Sequence, residues 1–395
     1  MNKYIYAMLM VLSMLTAACS NQIHTSLAEE ISHKTEKQKD DTAILTIQTE
    51  GKDKKDTSWL KEKSLHRIEA ADEGLAYEIY IYAENETTVK LEQAGVLGDK
   101  QDTVHEGNYS VYMAKKGAKS AFKQDILSSL PLVFNEEVKG AYPLKLGDKT
   151  LLAIVQPEGD SRFSAELYSI QHGELKVVRS GSGDGIQSII GPEIKAIKQE
   201  YIQTVQSIDD NEGLVFSTWA FDKQKLEINQ VSETVYDDSD MKDGLGEGEK
   251  WFEIWSAAEE NYHPFYNIQL EKGIIDKASQ GILTGSQYPI GTNINDVKKA
   301  SPPSIEAGKK GKYAYLKYPE VTYFYDEATQ EVAIVSIPGI RLQSTLADIK
   351  KMFGEPFRES RRGKEVLAIY AAGKYNIDVY ADQSGKIKSV QLRKL

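Results

Sequence analysis

The chain's only cysteine, Cys19, offers the most distinctive chemistry in the sequence, because a thiolate is a strong nucleophile. It follows the uncharged run Tyr4 to Ala18, YIYAMLMVLSMLTAA, which Lys3 precedes. Small residues at Ala17 and Ala18 leave the backbone open to a peptidase, and a cut after Ala18 makes Cys19 the first residue. A single cysteine excludes an intramolecular disulfide and any multi-cysteine zinc or iron–sulfur centre.

Other chemical signals are sparse. The histidines are His24, His33, His66, His105, His172 and His263, and no two have the i, i+4 spacing of a zinc-binding helix. No G-x-S-x-G elbow, Walker loop or dinucleotide fingerprint is present, so no catalytic residue is assigned and no cofactor is expected. Ser180 to Gly185 is Gly-rich but lacks the lysine and the following helix of a phosphate site. Asp237, Asp238, Asp240 and Asp243 fail the spacing of a calcium loop, so no metal is expected. Trp251, Trp255, Tyr262 and Tyr266 remain as possible binding residues. They could stack on sugar rings or form a buried seam between domains. Tyr313, Tyr315, Tyr323 and Tyr325 alternate along two strands and are expected to line a sheet face.

The residues around Cys19 resemble the bacterial lipoprotein signal, with Thr16 where leucine is more usual. The resemblance implies cleavage after Ala18, a diacylglyceryl group on Cys19 and a lipid-anchored protein on the extracytoplasmic face of the cell membrane. Fifteen uncharged residues rise about 22 Å as a helix, less than the roughly 30 Å hydrocarbon core, which favours a cleaved signal over a permanent span. Two or more acyl chains hold a protein firmly. A formal net charge of −11 in 395 residues argues against nucleic acid as a partner.

These features must be positioned by an α+β, multidomain chain. Residues 1–18 read as a signal peptide and 19–58 as a lipidated tether of low apolar content and mixed charge. Residues 59–236 read as a mostly antiparallel β domain, because β-branched and aromatic runs such as Glu78 to Tyr82 alternate with Gly, Asn and Asp turns. Its meanders suit a sandwich or a propeller-like array. Residues 237–267 form an acidic linker and a joining helix, with Trp251, Ile254, Trp255 and Ala258 at helical spacing.

Residues 268–395 carry an internal repeat. Thr292 to Lys299 and Ser344 to Lys351 correspond at an offset of 52 residues. Each opens on a hydroxyl residue suited to helix capping and closes on a lysine pair that complements the helix dipole. Three strands follow each helix, so a tandem helix-plus-three-strand α+β domain is expected. Gly281-Ile282-Leu283, Tyr288-Pro289-Ile290-Gly291, Asp296-Val297-Lys298-Lys299 and Leu346-Ala347-Asp348-Ile349-Lys350 with Gly354-Glu355-Pro356 resemble the YjgB-type domain of unknown function. That family occurs in secreted proteins and lipoproteins of spore-forming Gram-positive bacteria. The repeat is more distantly similar to small outer-membrane assembly lipoproteins and tandem β-lactamase inhibitor proteins, which bind protein partners. Ala300-Ser301-Pro302-Pro303 departs from the family's usual aromatic-Gly-x-Pro ending. The resemblance implies a non-enzymatic binding module anchored to the membrane, with an unidentified protein or cell-wall partner. The alternative is a wall-glycan binder or a wall-acting hydrolase.

Overall fold

A computed structural model describes residues 53–127, 131–159, 162–181, 183–208, 213–237, 246–269 and 271–395. Ala18 and Cys19 lie outside the described residues, and so does most of the acidic linker. Among the described residues the first strand is Lys54–Asp56, inside the segment the sequence assigns to the tether. This short strand pairs with Ser120–Gln124, and Asp56 caps helix α1 (Thr57–Lys63) by accepting from the amides of Ser58 and Trp59.

The strand Lys54–Asp56 is one edge of a five-stranded sheet that continues through Ser120–Gln124, Tyr109–Lys115, Leu75–Ala83 and His66–Asp72. A three-stranded sheet of Thr87–Lys90, Thr103–Gly107 and Leu132–Asn135 lies beside it in sequence. Ile79, Ile81, Val111, Phe134, Ile154 and Ile170 share one core, so these two sheets pack against strands of a third. That third sheet has ten strands.

Six of those ten strands close on themselves. Glu174–Ser180 pairs antiparallel with Arg162–Gln171 on one side and parallel with Glu227–Asp237 on the other. The circuit continues through Gly213–Asp222, Tyr201–Ser207 and Ile186–Ile189, back to Arg162–Gln171. Closure removes the free edges that an open sheet would present. The middle of the chain is therefore sheet-on-sheet packing joined to a small barrel, and not a propeller. The parallel pairing of Arg179 and Ser180 with Glu227 and Ile228 is what a reading of local hairpins misses.

Helix α2 (Glu247–Ala257) follows the linker and buries Trp255 against Val205 and Phe216 of the barrel. Beyond it come α3 (Gly273–Ser279), α4 (Ile294–Ala300) and α5 (Leu346–Phe353). No helix among the described residues is long and apolar enough to cross a membrane. An eight-stranded sheet runs in the order Glu306–Lys310, Tyr313–Lys317, Thr322–Tyr325, Val332–Pro338, Ile387–Lys394, Tyr375–Asp382, Glu365–Ala372 and Arg358–Arg362. Four strands follow each of α4 and α5, where the sequence predicts three. The missed strands are the two edges, Glu306–Lys310 and Arg358–Arg362. Both are exposed and charged, so neither shows the apolar alternation that marks a half-buried strand.

The caps sit one residue further along than the sequence suggests. Asn293 accepts from the amide of Asn295, and Thr345 forms a reciprocal capping box with Asp348. Ile294 and Val297 of α4, and Leu346 and Ile349 of α5, enter the core beneath the sheet. Tyr323 pairs across from Leu316 and Tyr325 from Ala314 on this covered side, while Tyr315 pairs with Phe324. The four tyrosines thus divide between the two faces and do not form one stripe.

Candidate binding cleft at the joint

The barrel and the C-terminal sheet meet along residues 258–269, and three buried polar groups fix that segment. Lys195 belongs to the short strand Lys195–Ile197 and is 3% exposed. Its ammonium donates to the carbonyl of Trp255, and to those of Ala258 at 2.6 Å and Asn261 at 3.4 Å. It also lies 4.5 Å from the Trp255 ring centre. The last carbonyls of a helix have no partner within it, and a cation there satisfies them and complements the dipole. Burial holds the Lys195 ammonium below its ordinary pKa. Lys195→Met leaves those carbonyls unpaired, at a cost of about 2–3 kcal/mol. Urea denaturation reads this, and an unchanged midpoint would remove the capping role.

His263 is the second anchor. Its ring stacks on Phe216 at 4.5 Å and meets Trp251 edge-on at 4.9 Å. Its Nε2 shares a 2.9 Å hydrogen bond with the Tyr236 hydroxyl. The Gln203 amide brackets the His263 backbone, accepting from its N–H at 2.7 Å and donating to its carbonyl at 2.9 Å. Burial pushes the imidazole pKa down to about 3. A ring so enclosed packs the joint and does not exchange protons with a ligand.

Arg341 is the third anchor, 3% exposed. Its Nε donates to Asn267 Oδ1 at 2.9 Å, and its Nη1 donates to the carbonyls of Gly285 and Glu320, both at 2.8 Å. Its Nη2 lies 3.2 Å from the Glu320 carboxylate. That carboxylate also takes Lys198, from the barrel side, at 2.5 Å and the Asn267 amide at 2.6 Å. Burial, followed by the Glu320 charge, pushes the nearby Tyr262 phenol upward. Gly285 is required here. Its φ is +89°, and a Cβ would lie 2.2 Å from Ile268 Cδ1 and 3.2 Å from Arg341 Nη1.

Two cavities flank this ion cluster, and both are lined by Lys198 and Gly285. One, of about 340 Å³, is walled by Tyr262, Tyr288, Tyr318, Pro302 and Pro303. The other, of about 540 Å³, is walled by Glu200, Tyr201, Gln269, Thr284 and Arg341. The two share Lys198 and Gly285 in their walls, and the pair is here called the cleft, one cavity aromatic and the other polar. Among the described residues, no group of three or more His, Cys, Asp or Glu side chains is placed to hold a metal ion.

The four aromatic residues singled out from sequence separate here. Tyr262 lines the cleft. Trp255 is 1% exposed within the barrel contact and presents no ring to solvent. Trp251 packs on His263 with Lys317 5.4 Å from its ring centre. Tyr266 is half-buried, and its amide donates to Ser232. Lys198, Gly285, Glu320 and Arg341 carry no local signal in the sequence, because each is ordinary within its own window.

The eight-stranded sheet with its helices is the domain that the motifs suggested. Residues 271–392 match the family described as a domain of unknown function, DUF4309. Two solved structures are similar. One is the crystal structure of a DUF4309 family protein (YjgB) from Bacillus subtilis subsp. subtilis str. 168. It shares 15% identity, with 31% of this chain and 95% of that chain covered, at a TM-score of 0.28. The other is a Xanthomonas type IV secretion system related protein, with 16% identity, 45% and 85% covered, and a TM-score of 0.29. No curated protein matches the chain.

Proposed function

We propose that this chain is a lipid-anchored extracytoplasmic lipoprotein that works as a non-enzymatic binding module, with its ligand held in the cleft at the joint. The observation that carries this reading is how the cleft's charges are used. Glu320 is bonded by Lys198, Arg341 and Asn267, and Arg341 spends its donors on backbone and side-chain acceptors of the walls. Groups bound in this way hold two parts of a protein in register. General acid–base catalysis needs a group free to exchange a proton with the substrate.

The second reading, a wall-acting hydrolase, has one observation in its favour. Glu260 and Glu320 line the same aromatic cavity, and glycosidases work with paired carboxylates. The donors already on Glu320 weigh against it. We further take the helix-plus-four-strand segments to be two copies of one unit. Asn293 and Thr345 cap equivalent helices, and the last strands of the two segments pair at the sheet centre.

The anchor is tested by Cys19→Ala. The expected result is loss of the chain from the membrane fraction, with the folded protein unchanged. Equal membrane retention of the variant would sink the lipoprotein reading. Turnover of a cell-wall or peptide substrate by the purified chain would sink the non-enzymatic one.

A further inference from the structure

We infer that the cleft at the joint takes an uncharged, hydroxyl-rich ligand bearing amide groups, a short segment of N-acetylated glycan; this rests on the cleft being the binding site. Charge is the first argument. The Glu320 carboxylate is met by Lys198 and Arg341 within the wall, and Glu200 and Glu260 line the two cavities. Such a lining offers no surplus of cations to a polyanion.

The walls supply the second argument. Tyr262, Tyr288 and Tyr318 with Pro302 and Pro303 give flat apolar surfaces, and the C–H faces of a sugar ring pack on such surfaces. Gln287 lines the same cavity and adds an amide donor and acceptor, while the Asn261 amide there already donates to the Ile254 carbonyl at 2.8 Å. The two volumes fall in the range of small-ligand sites.

Unused hydrogen-bonding capacity is the third argument. The Tyr288 hydroxyl and Thr284 Oγ1 are buried and have no partner in the protein. Tyr288 lines the aromatic cavity and Thr284 the polar one. Buried hydroxyls are normally bonded, because an unpaired one is costly. A polyhydroxylated ligand has the donors and acceptors to satisfy both once the two side chains turn toward it.

The test is titration of the full-length chain, in a sugar-free detergent, with the tetrasaccharide of N-acetylglucosamine. Saturable binding is expected. Tyr288→Phe should weaken it about tenfold, the effect of one lost hydrogen bond. This variant keeps the ring against Tyr323, whose centre is 5.9 Å away, and removes a buried unpaired hydroxyl, so its unfolding midpoint should equal or exceed that of wild type. Gln287→Ala, at an exposed position of the rim, should weaken binding several-fold. Lack of saturation, or wild-type affinity in both variants, overturns the glycan assignment. A photo-crosslinker in the cleft that captures a protein while the sugar fails to bind overturns the ligand class and leaves the binding module standing. Release of reducing ends from bound sugar does the reverse.

Discussion

Arg341→Met should lower the unfolding free energy by about 3–5 kcal/mol, the cost of breaking a buried ionic cluster by removing one partner. The Gly285 and Glu320 carbonyls lose their donor, and Asn267 Oδ1 loses the Nε–H. Glu320 keeps Lys198 and Asn267, so the damage falls on the C-terminal side of the joint. Arg341→Lys should recover little, because a lysine has one nitrogen where the planar fork serves acceptors from three directions. Urea denaturation of both variants checks this. The pair Arg341→Met and Glu320→Gln should be less destabilising together than the sum of the singles, since they share one cluster. A loss below about 1 kcal/mol in Arg341→Met would contradict the role given to this residue.

Acid should destabilise the fold well before its carboxylates protonate. His263 is held near pKa 3 by burial, and His66 near pKa 4 by burial and then by the charge of His105. Both values lie below the unfolded value of about 6.5. In the native state these rings resist a proton that the unfolded chain accepts. Their stabilising contribution is therefore complete above about pH 6.5 and is lost as pH falls through the window down to the folded values. From pH 7 to pH 5 each should remove about 2 kcal/mol. His105 works in the opposite sense. Against the cost of burial, the hydrogen bonds it donates to Glu136 and Glu86 hold it above its ordinary value, so it stabilises the folded state as pH falls. Denaturation midpoints across pH 5–7 should show a net rise with pH, and His66→Leu should flatten it. A flat profile in wild type would mean that the two rings are not buried as neutral groups.

How much of this was legible in the sequence follows from the range of each interaction. The run at Glu78 to Tyr82 lies within the strand Leu75–Ala83, because alternation and β-branching are local properties. Helices α4 and α5 were legible for the same reason, through their caps, apolar spacing and terminal lysines. The barrel was not, because its closure depends on Arg179 and Ser180 meeting Glu227 and Ile228. No window of a dozen residues contains both partners. The edge strands Glu306–Lys310 and Arg358–Arg362 were hidden by their own charge. The cleft was the least legible part. Lys198, Asn267, Gly285, Glu320 and Arg341 are each unremarkable alone, and only the fold brings them together. Trp255 shows the same limit from the other side. Its type suited recognition and packing equally, and its contact with Val205 and Phe216 shows the packing.

The proposed role requires that the chain bind a ligand at the joint on the outer face of the membrane. A photo-crosslinking side chain placed at Gln287, exposed at the cleft rim, tests it in intact cells. The account predicts a discrete adduct in the membrane fraction, absent when the same group stands at Leu75 on the exposed surface of the five-stranded sheet, and lost from that fraction with Cys19→Ala. No adduct at Gln287, or the same adducts from both positions, would contradict it.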